Sequence, residues 1–442
     1  QRDHLDLPAV AFRIACVHAE QVGREQRRLV AARARAHLQD RAAVVVSVER
    51  TTGPNRSAAG RALFALAIGA FGIGMTEFIL MGLLPNLAAD LLASRWATDP
   101  EGAIAQTGWL ISLYALGVVI GAPTISGLAA RYPRQRVLVI LALAMATFSA
   151  LTAVLPTFEL IGLSRLLAGL PHGAYFGMAA LVAADIVGPT RRARGIAIVL
   201  TGLTRANVIG VPLGTLAGQL IGWRVAFVAV TVVFLLAALT IALVVPRTPG
   251  DTGRTFRAEL GVFRVPQVWF TMGIGAIGFG GFFAVYSYIA PLVTEVAGQP
   301  EASVPLILVL MGLGMTVGTL IGGALADRNL TRTILWALAS TAVAAFVMLL
   351  VAQWIFALAA LVFIFGTVAS FLSPAVQTRL MDVAGDNQSI AAALNHSALN
   401  IGNSLGALLG GLVIASGFGF RSPVVIAIVL SASGVVISVW SF

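Results

Sequence analysis

From Arg61 onward, long apolar stretches alternate with short polar breaks all the way to the end of the chain. A helix rises ~1.5 Å per residue, so ~20 apolar residues cross the hydrocarbon core of a bilayer. Twelve stretches reach that length, at about 62–83, 107–129, 136–156, 159–186, 194–219, 224–246, 267–292, 303–325, 332–352, 354–381, 388–416 and 421–441. A transmembrane β-barrel would show ~10-residue segments of alternating polarity, whereas these runs are continuous. The pattern therefore predicts an all-α integral membrane protein with twelve transmembrane helices. Composition agrees, with 58% hydrophobic residues, 11% charged and a mean hydropathy of +0.91, against about a quarter charged in a soluble domain. The 46 glycines would weaken helices in water, but in lipid small residues let helices approach closely.

Charge sets the expected orientation. All 29 basic residues are arginine. If the N-terminal side of span 1 is cytoplasmic, the inside loops hold Arg131, Arg134, Arg136, Arg191, Arg192, Arg194, Arg247, Arg254, Arg257, Arg264, Arg328, Arg332 and Arg379. The outside loops then hold only Arg95, Arg224 and Arg421. Thirteen against three follows the positive-inside rule, which puts both termini in the cytoplasm, and the expected location is the cell's inner (plasma) membrane. A net charge of +10 is thus a topology signal rather than a nucleic-acid surface. Cys16 is the single cysteine, so neither an internal disulfide nor a cysteine metal cluster is expected. Residues 1–60 are rich in arginine and alanine and lack a signal-peptide core. They read as an extension, either translated from a start set too far upstream of a valine such as Val48, or a disordered tail or surface helix.

An internal repeat organises the remainder. Shifting the chain by 197 residues brings Arg131 onto Arg328, Asp185 onto Asp382 and Arg224 onto Arg421. Pro85, leaving span 1, matches Pro291, leaving span 7, at an offset of 206, and an insertion in SRWATDPEGA accounts for the nine extra residues. Two six-helix halves follow, 61–246 and 262–442, joined by a polar linker at 247–261. Such repeats are the plan of transporters whose two halves rock around a central cavity near the midplane.

The loop after span 2, SGLAARYPRQR, and its repeat GGALADRNLTR resemble the loop signature of the major facilitator superfamily. The second copy has the acidic residue, Asp327, where the first has Ala130. In span 4, Arg165 and Gly169 in SRLLAGLPHGAYFG match an Arg-x-x-x-Gly pattern of proton-linked members. Span 5, GLTRANVIGVPLGTLAGQLIGWR, is similar to the antiporter signature through Gly202, Gly210, Pro212 and Gly214, with Gly-Val-Pro in place of the usual Gly-Pro pair. With GMTEFILMGLLPNLA in span 1, these resemble the drug:proton antiporter branch, in particular arabinose-efflux and chloramphenicol-efflux permeases. The resemblance implies proton-coupled efflux of small molecules such as drugs or sugars, by a monomer that needs no cofactor or metal.

Candidate residues follow from polarity within spans. Glu77 is the only carboxylate inside a span. A charge there costs ~2.5 kcal/mol or more, and such residues are usually functional. Burial disfavours the charged form, so a carboxyl there can take up and release a proton, or it can be a neutral structural group. Arg165 is the matching cation, able to hold the Glu77 charge or an anionic substrate, or to form a fixed ion pair. The resemblance implies that it takes part in proton transfer. Arg205 either faces the cavity or snorkels to the interface. His172, Asn207, Tyr286, Tyr288, Asn395, His396, Asn400 and Asn403 are polar groups in spans 4, 5, 7 and 11, read as substrate contacts or as helix-to-helix hydrogen bonds. Tyr114 and Phe176 are packing residues or the wall of a lipophilic drug site.

At the basic ends, the resemblance implies a gating charge network that pairs Asp185 with Arg131 or Arg134, and Asp382 with Arg328 or Arg332, with Asp327 alongside. Gly195, Gly202, Gly210, Gly214 and Gly218 form a stripe on span 5 with Pro212, for close packing or as a seal against leakage. Without a lysine there is no phosphate-binding Gly-x-x-x-x-Gly-Lys loop, which leaves a gradient as the energy source. A proton-coupled importer would share these features. A membrane-embedded enzyme would need a nucleophile or ligand cluster, and neither His172 nor His396 has a partner at ligand spacing.

Overall fold

The computed structural model describes residues 56–129, 131–188, 192–247, 260–384 and 388–441. Most of the extension 1–60, most of the linker 247–261, and Cys16, Ala130 and Arg191 lie outside the described residues. Among the described residues twelve helices are long and apolar enough to cross a membrane. They are Ser57–Gly82, Pro100–Ala129, Arg134–Val154, Phe158–Val187, Arg194–Ile221 and Trp223–Val244, then Pro266–Ser287, Glu301–Arg328, Leu330–Val351, Ile355–Ala384, Leu394–Phe418 and Ser422–Ser441. These are spans 1 to 12. The described residues are otherwise short helices and turns, with no strand.

Local signals set many boundaries. Asp99 Oδ1 accepts from the Gly102 amide at 2.8 Å, and Pro100 follows it, so span 2 starts seven residues before the apolar run does. Thr157 caps span 4 and Asn329 caps span 9 in the same way. One residue, Gly222, turns the chain between spans 5 and 6, and its φ of 124° admits no ordinary side chain. The expected loop between spans 1 and 2 instead holds short helices, Leu84–Leu91 and Ala93–Thr98. There the Asp90 carboxylate pairs with Arg224 and accepts from Trp223 Nε1 at 2.9 Å, tying the loop to span 6.

Glycines decide how closely spans approach. On span 5, Gly202, Gly210 and Gly214 face Ala67, Met75 and Ile79 of span 1, Gly218 faces Leu83 just after it, and Gly195 faces Ala183 of span 4. On span 11, Gly402 and Gly406 lie against the span 7 backbone at Ala276 and Gly280. Spans 5 and 8 also touch, and a Cβ placed on Gly312 would sit 2.5 Å from the Asn207 carbonyl oxygen. Asn207 belongs to a wider helical turn, Ala206–Gly210, just ahead of Pro212.

One expectation is corrected. Arg379 is not in an inside loop but within span 10, buried, where Nη2 donates to the Ser441 carbonyl at 3.0 Å and Nε to Thr271 Oγ1 at 3.2 Å. Those partners on spans 7 and 12 let the helix continue past the charge to Ala384.

Candidate functional site

Glu77 lies in span 1, buried at 6% exposure, on the side facing spans 7 to 12. Its Oε1 accepts from Asn403 Nδ2 of span 11 at 3.3 Å. The next residue, Phe78, stacks on Tyr286 and Phe283 of span 7 at 5.4 and 6.3 Å. Span 1 thus meets the last six spans through a carboxylate and an aromatic face at neighbouring positions.

Arg165 is 1% exposed. Its Nη1 donates to Thr76 Oγ1 at 2.9 Å and Nη2 to the Thr76 carbonyl at 2.8 Å. Its guanidinium sits 4.2 Å from the Tyr114 ring centre and 5.5 Å from that of Phe227. The cation is therefore held one residue away from Glu77, and no ion pair among the described residues includes either group. Thr76, which the sequence reading passed over, is the residue that anchors Arg165.

The polar chain continues from there. Tyr114 Oη and His172 Nδ1 are hydrogen-bonded at 3.0 Å. His172 lies 6.3 Å from His396 between ring centres, and Phe176 stacks on His396 at 4.7 Å with the ring planes 3° apart. His396 and Asn403 stand two helical turns apart on span 11. Glu77, Arg165, Tyr114, His172, Phe176, Tyr286, His396 and Asn403 thus form one cluster spanning both sets of six helices. Four atoms on this cluster and beside it, Arg165 Nε, Tyr286 Oη, Asn400 Oδ1 and Asn403 Oδ1, are buried with no hydrogen-bond partner in the protein. Such groups are what a polar ligand can satisfy.

Other candidates lie elsewhere. Tyr288 donates to the Ala407 carbonyl at 2.7 Å and packs beside Gly108, Gly410 and Gly411, a helix-seam role. Asn400 donates back to the His396 carbonyl of its own helix, and Asn395 is buried on the same span. Asn207 sits at the span 5–span 8 contact. Arg205 is exposed and continues an outer row of exposed Ile209, Leu213, Leu216 and Leu220, the snorkelling alternative rather than the central one. At the basic end Arg134 pairs with Asp185, and Arg131 lies over the Tyr132 ring. Neither Arg328 nor Arg332 forms an ion pair with Asp382 or Asp327 among the described residues.

The family model of the Major Facilitator Superfamily matches residues 66–388 and 297–442. The chain belongs to the major facilitator superfamily. This transporter is 36% identical to the inner membrane transport protein YdhP of Escherichia coli K12, over 83% of its own length and 92% of that protein. It is 31% identical to a chloramphenicol resistance protein of Streptomyces lividans, over 85% and 93% of the two chains. It is 30% identical to the putative transporter AraJ of Escherichia coli, over 84% and 92%. In fold it is similar to a bacterial homolog of the human lysosomal transporter Spinster, with a TM-score of 0.68, 17% identity and coverage of 88% and 98%. By its family and its twelve spans the transporter is a multi-pass membrane protein, not an enzyme.

Proposed function

We propose that this transporter exports small molecules in exchange for protons by alternating access, with Glu77 as the proton carrier. The observation that carries the reading is the place of Glu77, a buried carboxylate bonded across the two sets of six spans by Asn403. Rocking one half against the other breaks or remakes that bond and changes the surroundings of the carboxyl, and with them its hold on a proton. When the proton leaves, the new charge competes with Thr76 for the nearby Arg165 guanidinium, which links protonation to a side-chain rearrangement at the centre. The aromatic groups Tyr114, Phe176, Phe283 and Tyr286 suit a lipophilic substrate carrying polar groups. Similarity to a chloramphenicol resistance protein supports the outward direction. In this reading the basic end faces the cytoplasm with both termini, and the working unit is the monomer.

Reconstitution in sealed vesicles with an imposed pH gradient tests the reading against a panel of antibiotics and sugars. Uphill movement of one of them, with matching proton counterflow, is the expected result. Glu77→Gln should abolish uphill movement while leaving downhill exchange and folding intact. Wild-type uphill transport by that variant at every pH would sink the assignment.

A further inference from the structure

At the basic end a groove of about 400 Å³ opens between spans 8, 9 and 10. Arg328, the last residue of span 8, and Arg332, in the first turn of span 9, stand at its mouth. Trp336 and Ser340 follow Arg332 at successive turns of span 9, and Leu325, Val368 and Phe371 complete the wall. Its polarity is graded along the helices: two guanidinium groups at the helix ends, then a largely apolar surface running toward the bilayer interior. Trp336 is 69% exposed, in the place where tryptophans mark the boundary between headgroups and acyl chains.

The corresponding end of the first six spans is arranged differently. There Arg134 is taken up by Asp185, and Arg131 stacks on Tyr132 and donates to its hydroxyl at 3.1 Å. In the second set, Arg328 and Arg332 have no protein anion as ion-pair partner among the described residues, and Asp327 and Asp382 do not line the groove. The amino end of span 9, capped at the Arg332 amide by Asn329, adds its partial positive charge at the same spot. We infer that this groove binds an anionic phospholipid, its phosphate held by Arg328 and Arg332 and one acyl chain lying along Trp336 and Phe371. A free phosphate would use the cations but not the wall. A zwitterionic lipid would use the wall but bring a compensating positive charge to the arginines. The site is separate from the Glu77 cluster and does not depend on proton coupling.

Native mass spectrometry of the purified full chain in detergent, titrated with phosphatidylglycerol and phosphatidylcholine, tests this inference. The wild type should retain phosphatidylglycerol preferentially. Arg328→Gln/Arg332→Gln should weaken that retention about thirtyfold, as two cations beside a headgroup warrant, and leave phosphatidylcholine unchanged. Arg247→Gln/Arg264→Gln removes the same charge from exposed positions outside the groove and should keep the preference. Equal retention in both doubles, no preference in the wild type, or displacement of the lipid by inorganic phosphate would each overturn the inference. Phosphatidylglycerol with brominated chains gives a second reading that requires no charge removal. It should quench tryptophan emission in the wild type, with a share of the quenching lost in Trp336→Phe. An undiminished quench in that variant would place the lipid elsewhere.

Discussion

Arg165 shows how a cation is kept deep in this bundle without a carboxylate against it. Its fork closes on the hydroxyl and the carbonyl of a single residue, Thr76, while the Tyr114 face covers the charge. Thr76→Val keeps the shape and removes one acceptor from an ionised donor, which should cost ~1.5–3 kcal/mol. Thermal unfolding followed in detergent should show the loss, and an unchanged midpoint would mean that the carbonyl alone suffices. Glu77 and Arg165 were legible in the sequence because a charge within an apolar run stands out. Thr76 was not, and for a physical reason. Most threonines in these spans donate to a carbonyl four residues back, as Thr231 does to Phe227 and Thr316 to Gly312. A threonine that instead accepts from another helix looks the same in a single sequence. The pairing of Asn403 with Glu77 was hidden in the same way: the polar face of span 11 could be read, its partner on span 1 could not.

Among elements, the span 5 glycines could be read as a stripe, but spacing alone does not name the helix they face. The structure assigns that face to span 1, with the Ala67 carbonyl directly opposite Gly202. A backbone atom cannot turn aside as a side chain does. Gly202→Leu should therefore separate spans 1 and 5 and sharply reduce the yield of folded transporter. Gly323→Ala, with nothing within 4 Å of its added carbon, should express normally, and equal yields by fluorescence-detected gel filtration would refute the contrast. Arg379 was misplaced because hydropathy assigns a charge near a polar break to the loop, whereas Gln267, Thr271 and Ser441 on other spans receive it. The same blindness to partners hid the tie from the short helices after span 1 to span 6. Partial burial acts against the Asp90 charge, but the bonds from Arg224 and Trp223 prevail and hold its carboxyl below the usual 3.8. A lowered folded value means stability that is present above pH 3.8 and lost as pH falls through that lower value. Asp90→Asn should lower stability by up to ~1 kcal/mol at neutral pH and flatten its acid dependence. Parallel acid unfolding curves for the two proteins would argue against the tie.

For the molecule as a whole, twelve spans and their order followed from apolar length, because crossing a bilayer leaves a chain few alternatives. How the two sets of six meet did not, since the hydrogen bonds that join them are few and chemically plain. Four hydrogen-bonded residue pairs join them among the described residues. Asn403 reaches Glu77, Ser112 and Ser404 exchange bonds with each other's carbonyls, and Asn86 and Gln219 both donate to Glu301. All lie between the Glu77 level and the end opposite the basic loops, so this is the end at which the sets are fastened. If the halves rock, these bonds must part when that end opens. Asn86→Ala/Gln219→Ala removes both donors to Glu301, at a combined cost of about 1 kcal/mol, enough to shift a near-balanced equilibrium about fivefold. A reporter at Thr215, buried where spans 1, 5 and 8 converge, can read the shift. Replacing Cys16, the single cysteine, gives the thiol-free background for Thr215→Cys. Maleimide applied from the side opposite the basic loops should react several-fold faster in the double variant. An unchanged rate would mean that helix packing, not these side chains, holds that end shut.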